Sequence, residues 1–372
     1  MAEWRLEETS KETLVTKQRI KAKGLDDKNF CLVPFTTIIL EPDGKVGVCR
    51  HKGSNFPIGY IQENTIAEIW NGEKARQWRR EFLEGKPGFC ATEVRHRHCQ
   101  HCPENNKLLD YIELAEIQTQ PILKLTANFN GKCNLQCQMC DIWQKPNGLY
   151  DQINFWEPAK KDIFPHLKEV DLLSGEPFIQ SDTYRLINDI SEVNPACQWI
   201  FTTNAHWKLT DKIKADLNKI HIKNIILSVD SFNTETYYKI RYPGKIDFVL
   251  KNIDALLEYN EERKRLGLND IRFILNFLTQ KDNWSELSYA IEYCEKKGIV
   301  PLMTYLYIPS QFSLNTLADE ERMAVFSSLL DSLTTHQVYR SMRVLMPLLD
   351  SLTKIDRIAG LYQLDAKFKQ RV

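Results

Sequence analysis

Three cysteines carry the strongest chemical signal in this 372-residue chain. Cys133, Cys137 and Cys140 form C-x3-C-x2-C within LKLTANFNGKCNLQCQMCDIW. Thiolates are metal ligands, and their number is informative. A structural zinc site is closed by four ligands, and the nearest downstream histidine, His166, lies beyond the next helical stretch. Three thiolates on a cubane [4Fe–4S] cluster leave one iron without a protein ligand, free to bind and activate a small molecule. Zinc is the competing reading.

A second set is more dispersed. Cys31 and Cys49 form C-x17-C, and Cys99 and Cys102 form C-x2-C. Four cysteines in two halves suit one closed tetrahedral centre, zinc or iron–sulfur alike. Cys90 is an odd fifth: a ligand in place of Cys31, a group facing substrate, or a plain thiol. His96, His98 and His101 alternate with Arg95 and Arg97 in VRHRHCQHC. They read as a polar loop around the centre, a patch that a negatively charged substrate or donor could also use. Cys197 and Cys294 stand in apolar settings and read as small buried hydrophobes.

The elements that must position these groups follow from periodicity. From residue 119 onward, short β-rich runs alternate with amphipathic helical stretches, the pattern of parallel βα units. Predicted strands are Ile122 to Phe129, Lys168 to Leu173, Gln198 to Thr203, Ile222 to Val229, Ile271 to Phe277 and Leu302 to Ile308. Helices such as Phe248 to Arg265 and Trp284 to Lys297 lie between them. Six repeats predict an α/β fold: a partial (βα)6 barrel, with ligands at the carboxyl ends of its strands. Residues 28–118 read as a separate, small, cysteine-rich α+β domain. It has a hairpin, CLVPFTTIILEPDGKVGVC, turning at Asp43-Gly44, and a helical run, IAEIWNGEKARQWRREFLEG. Residues 1–27 form a charged N-terminal segment, 119–315 the barrel, and 316–372 a helical segment with apolar residues at helical spacing.

Composition narrows the function classes. At 43% apolar and 26% charged, the chain has the make-up of a globular protein. Its 49 basic and 49 acidic side chains cancel, so no overall field draws it to nucleic acid or an anionic membrane. The charged start lacks the apolar core of a signal peptide, and no stretch approaches the roughly 18 apolar residues of a span. A cytoplasmic protein is expected, whose ten cysteines are metal ligands before they are disulfides.

The C-x3-C-x2-C triplet directly after the first strand resembles that of the radical S-adenosylmethionine (SAM) superfamily, whose members use it in a partial (βα)6 barrel. The resemblance extends to VDLLSGEPF, similar to the glycine–glutamate motif that meets the cofactor's amino group, with Ser174 where a second glycine is common. It implies that Gly175 allows close backbone approach and that Glu176 supplies charge. The segment NIILSVDSFNTETYYKIRYPGKIDFVLKNI resembles the region around the fourth strand of members with an auxiliary cluster. There Ser228 and Arg241 would hold the cofactor's ribose region and carboxylate, the guanidinium being a planar fork suited to a carboxylate. Asn204 in FTTNA and Asn276 in FILNF, at or near strand ends, are candidates to line the cavity. The N-terminal pattern, C-x17-C with GKVGVC, then IGYIQENTIAEIWNG and CQHC, resembles the auxiliary-cluster module called twitch, a shortened relative of the SPASM domain. That favours a second [4Fe–4S] cluster on Cys31, Cys49, Cys99 and Cys102. In the family this module usually follows the barrel, whereas here it precedes it.

The resemblance implies reductive cleavage of SAM and hydrogen abstraction by a 5′-deoxyadenosyl radical. An auxiliary cluster would assist oxidation or position the substrate, and an electron donor such as flavodoxin or ferredoxin is required. A small-molecule or peptide substrate is expected. Two alternatives stand beside this: a non-catalytic, zinc-stapled binding protein, and an RNA-modifying radical SAM enzyme, which the neutral charge and lack of an interleaved basic–aromatic face disfavour.

Overall fold

The computed structural model describes residues 18–25, 30–49, 56–88 and 113–369. Nine strands form one sheet in the order β3-β2-β1-β4-β5-β6-β7-β8-β9. They are β1 (Thr37–Leu40), β2 (Lys45–Gly47), β3 (Gly59–Tyr60), β4 (Lys124–Ala127), β5 (Glu169–Leu172), β6 (Gln198–Thr203), β7 (His221–Ser228), β8 (Arg272–Thr279) and β9 (Val300–Tyr305). The six strands from β4 onward run parallel, each pairing with the next. With helices between them, they make the α/β partial barrel expected from the six βα repeats.

The N-terminal hairpin is joined to this sheet. β1 and β2 pair antiparallel across the Asp43-Gly44 turn, where Gly44 takes a φ of 82°. The other edge of β1 pairs in parallel with β4, from Thr37 opposite Lys124 to Leu40 opposite Ala127. The sheet therefore crosses the boundary drawn at residue 118, and β1 is a seventh parallel strand. The sequence hid it because a hairpin strand carries no local sign of its second partner.

Helices α1 (Val33–Thr36), α2 (Ile66–Trp70) and α3 (Glu73–Leu83) pack around the hairpin. Thr65 and Glu68 form a capping box that starts α2. Arg79 of α3, fully buried, is the tie between these elements. It donates to the carbonyls of Pro34, Trp70 and Glu116 and to Asn71 Oδ1, and lies 4.3 Å over the Trp70 ring. A guanidinium can be buried because four acceptors meet its donors.

In the barrel, α4 (Trp156–Asp162), α5 (Ser181–Val193), α6 (Asp211–Leu217), α7 (Thr234–Ile240), α8 (Ile246–Arg265) and α9 (Leu287–Lys297) lie in the crossovers. Strand alternation separates two faces. Ile225 and Leu227 of β7, Phe277 of β8 and Met303 of β9 are buried, whereas Ser228, Asn276, Leu278, Leu302 and Thr304 are half-buried on the other face. Three further helices, α10 (Asp319–Ser332), α11 (Thr335–Asp350) and α12 (Lys354–Lys369), end the chain. α11 packs on β9 and buries Val338, Val344, Leu345, Leu348 and Leu349, which gives the C-terminal helices a covering role at the last strand. No helix among the described residues is long and apolar enough to cross a membrane.

Candidate functional site

The cysteine loop leaves the carboxyl end of β4 and is pinned from several sides. Gln136 N donates to Tyr242 O (2.6 Å) and Gln138 N to Ile240 O (2.9 Å), which ties the loop to the end of α7. On the other side, the Lys132 carbonyl accepts from Glu176 N and from Gln180 Nε2, each at 2.9 Å. Gly175 sits here at φ 59°, and a Cβ on it would stand 2.2 Å from Lys132 O. The close backbone approach expected of Gly175 is thus made to the residue preceding Cys133. Ser174, in place of a second glycine, donates through Oγ to Asn130 O at 2.7 Å and braces the same loop.

Cys133 and Cys137 are half-buried and Cys140 is exposed. Desolvation of the sulfur atoms themselves, Cys140's included although that residue as a whole is exposed, pushes all three thiols up, Cys137 to about 11, with Arg241 pulling against it at each. Metal must therefore displace protons here, so loading releases them. The sulfurs are met by donors: Leu135 N at 3.5 Å and Asn204 Nδ2 at 3.7 Å from Cys133 Sγ, and an Arg241 Nη at 3.9 Å from Cys137 Sγ. Donors aimed at thiolates suit the ligands of an iron–sulfur cluster. No three His, Cys, Asp or Glu side chains among the described residues are gathered as for a single ion.

Arg241 lies at the site with 7% of its surface exposed. Its Nε and one terminal nitrogen both meet Asp230 Oδ2, at 2.8 and 2.7 Å, so one arm of the fork remains toward Cys137. Asp230 is fully buried and accepts the Leu278 N–H on its other oxygen. Sequence reasoning missed Asp230, though a charged residue two places beyond Ser228, in SVDS, was a visible signal.

Glu176 faces protein donors. It is fully buried; Oε1 accepts from Thr203 Oγ1 (2.7 Å) and Phe178 N (3.2 Å), and Oε2 from Asn204 N (2.7 Å). Burial, outweighing these hydrogen bonds, leaves its carboxyl raised to about 7. Its charge acts on the turn that ends β6. Ser228 and Asn276 pair directly across β7 and β8, and Thr304 Oγ1 donates to Asn276 Oδ1 at 3.0 Å. These residues make a neutral polar rung in the carboxyl-terminal halves of the strands.

In the N-terminal part, Cys31 and Cys49 are half-buried against the core, before α1 and after β2. Cys90, Cys99 and Cys102, with His96, His98 and His101, lie outside the described residues. Cys197 and Cys294 are fully buried, with thiols pushed up to about 12 by desolvation, as small core hydrophobes should be.

Residues 127–267 match the radical SAM superfamily, and residues 31–103 match SPASM, an iron–sulfur cluster-binding domain. The chain thus carries a radical SAM domain and, before it, an iron–sulfur cluster-binding domain. Its cofactors are accordingly SAM and [4Fe–4S] clusters. Similar proteins include GTP 3′,8-cyclases of Aliarcobacter butzleri, 25% identical over 47% of this chain and 53% of the relative, and of Clostridium botulinum, 30% identical over 39% and 49%. The chain spans about half the length of these relatives. Among solved structures, Streptococcus suis SuiB bound to S-adenosylmethionine is 16% identical, with a TM-score of 0.42, over 82% of this chain and 69% of that one.

Proposed function

We propose that this protein cleaves SAM reductively at a [4Fe–4S] cluster held by Cys133, Cys137 and Cys140. The observation that supports it is the three-thiol loop itself, braced at the mouth of a parallel barrel with N–H donors on its sulfurs. When bound, the reduced cluster would supply one electron to SAM, whose sulfur–C5′ bond would break to methionine and a 5′-deoxyadenosyl radical able to take a hydrogen atom from the substrate.

The chain's own residues position and enclose. Ser228 and Asn276 offer neutral hydrogen-bonding groups to the cofactor's ribose region, and Gly175 keeps the Cys133 loop against β5. Arg241 directs its remaining arm to the Cys137 side, where a carboxylate would meet it. Glu176 acts through Thr203 and Asn204. Cys140, the exposed ligand, is the side from which a low-potential donor such as flavodoxin or ferredoxin delivers the electron. Cys31, Cys49, Cys99 and Cys102 would hold the second cluster; the SPASM match begins at Cys31 and takes in all four. With four thiolates it has no open iron, so it transfers electrons or orients the substrate. A small-molecule substrate is favoured over a peptide, because relatives over the matched half are GTP 3′,8-cyclases.

The test is anaerobic reconstitution, counting of iron and sulfide, and assay of 5′-deoxyadenosine after reduction. Wild type should form it, and the triple variant Cys133→Ala, Cys137→Ala, Cys140→Ala should lose one cluster and all cleavage. A colourless zinc protein, or a triple variant that still makes 5′-deoxyadenosine, refutes the assignment.

A further inference from the structure

The turn that leaves β6 is built around a strained residue. Ala205 has a φ of 55°, a left-handed conformation unique to it among the described non-glycine residues. Such a conformation is disfavoured for an L-residue, and backbone strain of this kind persists only where the surroundings impose it. They do so here. Ala205 N donates to Thr203 Oγ1 at 3.0 Å and Asn252 Nδ2 to Ala205 O at 3.1 Å, while Glu176 accepts both the Thr203 hydroxyl and the Asn204 N–H.

The result is that the Asn204 side chain points at Cys133. Which end of its amide faces the sulfur is settled by backbone groups. His206 N–H donates to Asn204 Oδ1 at 2.7 Å, so that atom is the oxygen. Nδ2 is left to donate to Asn134 Oδ1 at 2.9 Å and to Cys133 Sγ at 3.7 Å. The Asn134 amide is oriented in the same way, because its Nδ2 donates to the His206 carbonyl. Two asparagines and the His206 backbone thus close a ring of hydrogen bonds beside Cys133. Both Nδ2 protons and the oxygen of Asn204 are in use, so it has little left to offer a ligand in the cavity.

We propose that Asn204 is a positioning residue for the loop cluster, donating an amide N–H to the Cys133 thiolate so as to hold that ligand and raise the cluster's reduction potential. The physical reason is that reduction adds negative charge which the thiolate sulfurs share, and a donor fixed on one of them stabilises the reduced form. The inference rests on Cys133 being a ligand of that cluster.

The experiment uses the full chain, reconstituted anaerobically. The loop cluster is identified as the EPR signal that changes on addition of SAM, and its midpoint potential is then measured without SAM, with iron counted in parallel. Asn204→Leu should keep its iron and show a more negative potential. An unchanged or more positive potential at equal iron overturns the proposal, whereas wild-type protein with no SAM-responsive cluster overturns the ligand assignment beneath it. If Asn204→Leu comes without iron, wild type labelled with 15N in its asparagine side chains provides the reading. Hyperfine coupling of that nitrogen to the reduced cluster is then expected, and its absence overturns the proposal.

Discussion

Gly175→Ala tests whether the packing of β5 against the cysteine loop is what sets the site. Gly175 has a φ of 59°, and an added Cβ would lie 2.2 Å from Lys132 O and 2.6 Å from Gln180 Nε2. That is roughly 1 Å or more inside ordinary van der Waals contact, and the first obstacle is backbone. The left-handed conformation costs alanine about 1–2 kcal/mol. Relieving the clash must move the Lys132 carbonyl off the two hydrogen bonds it accepts, each worth about 0.5–1.5 kcal/mol net. The sum is a loss of about 2–5 kcal/mol, centred on the residue before Cys133. Urea unfolding of the metal-free protein measures the loss, and iron content after reconstitution should fall with it. Gly148→Ala is the control: Gly148 has a φ of 77° but nothing within 4 Å of the added carbon, so only the conformational cost of about 1–2 kcal/mol remains. If Gly175→Ala unfolds within about 0.5 kcal/mol of wild type, the range of a neutral substitution, and loads full iron, the reasoning fails.

Asp230→Asn should cost about 3–5 kcal/mol, the usual penalty for removing one partner of a buried ion pair. One Asp230 oxygen serves Arg241 and the other the Leu278 N–H, and an amide has only one acceptor; unfolding free energy close to that of wild type would show that Arg241 finds compensation elsewhere. Changing Cys31 and Cys49 together to alanine should remove about half the iron while 5′-deoxyadenosine still forms on reduction, because the second cluster is not the site of cleavage. Iron unchanged in that variant would move the second centre to other ligands.

Much of the architecture was local and so could be read from residues alone. The spacing of Cys133, Cys137 and Cys140 after an apolar run, the six βα repeats and the hairpin turning at Asp43-Gly44 each depend on neighbours in sequence. The periodicity of α8 and α9 follows from one buried face, and that too is visible in a single segment. The partners across the sheet depend instead on register and on how crossovers bring distant segments together. β1 pairs with β4 across more than eighty residues, and nothing in TIIL announces a parallel neighbour on its second edge. Arg241 could be placed near the cysteines from its motif, but only the folded chain gives it Asp230 as a partner. Glu176 could be marked as the charge of the site. Whether that charge faced the cavity or the β6 turn was decided by Thr203 and Asn204, whose donors reach it only after β5 and β6 are paired and the carboxylate is sealed from water.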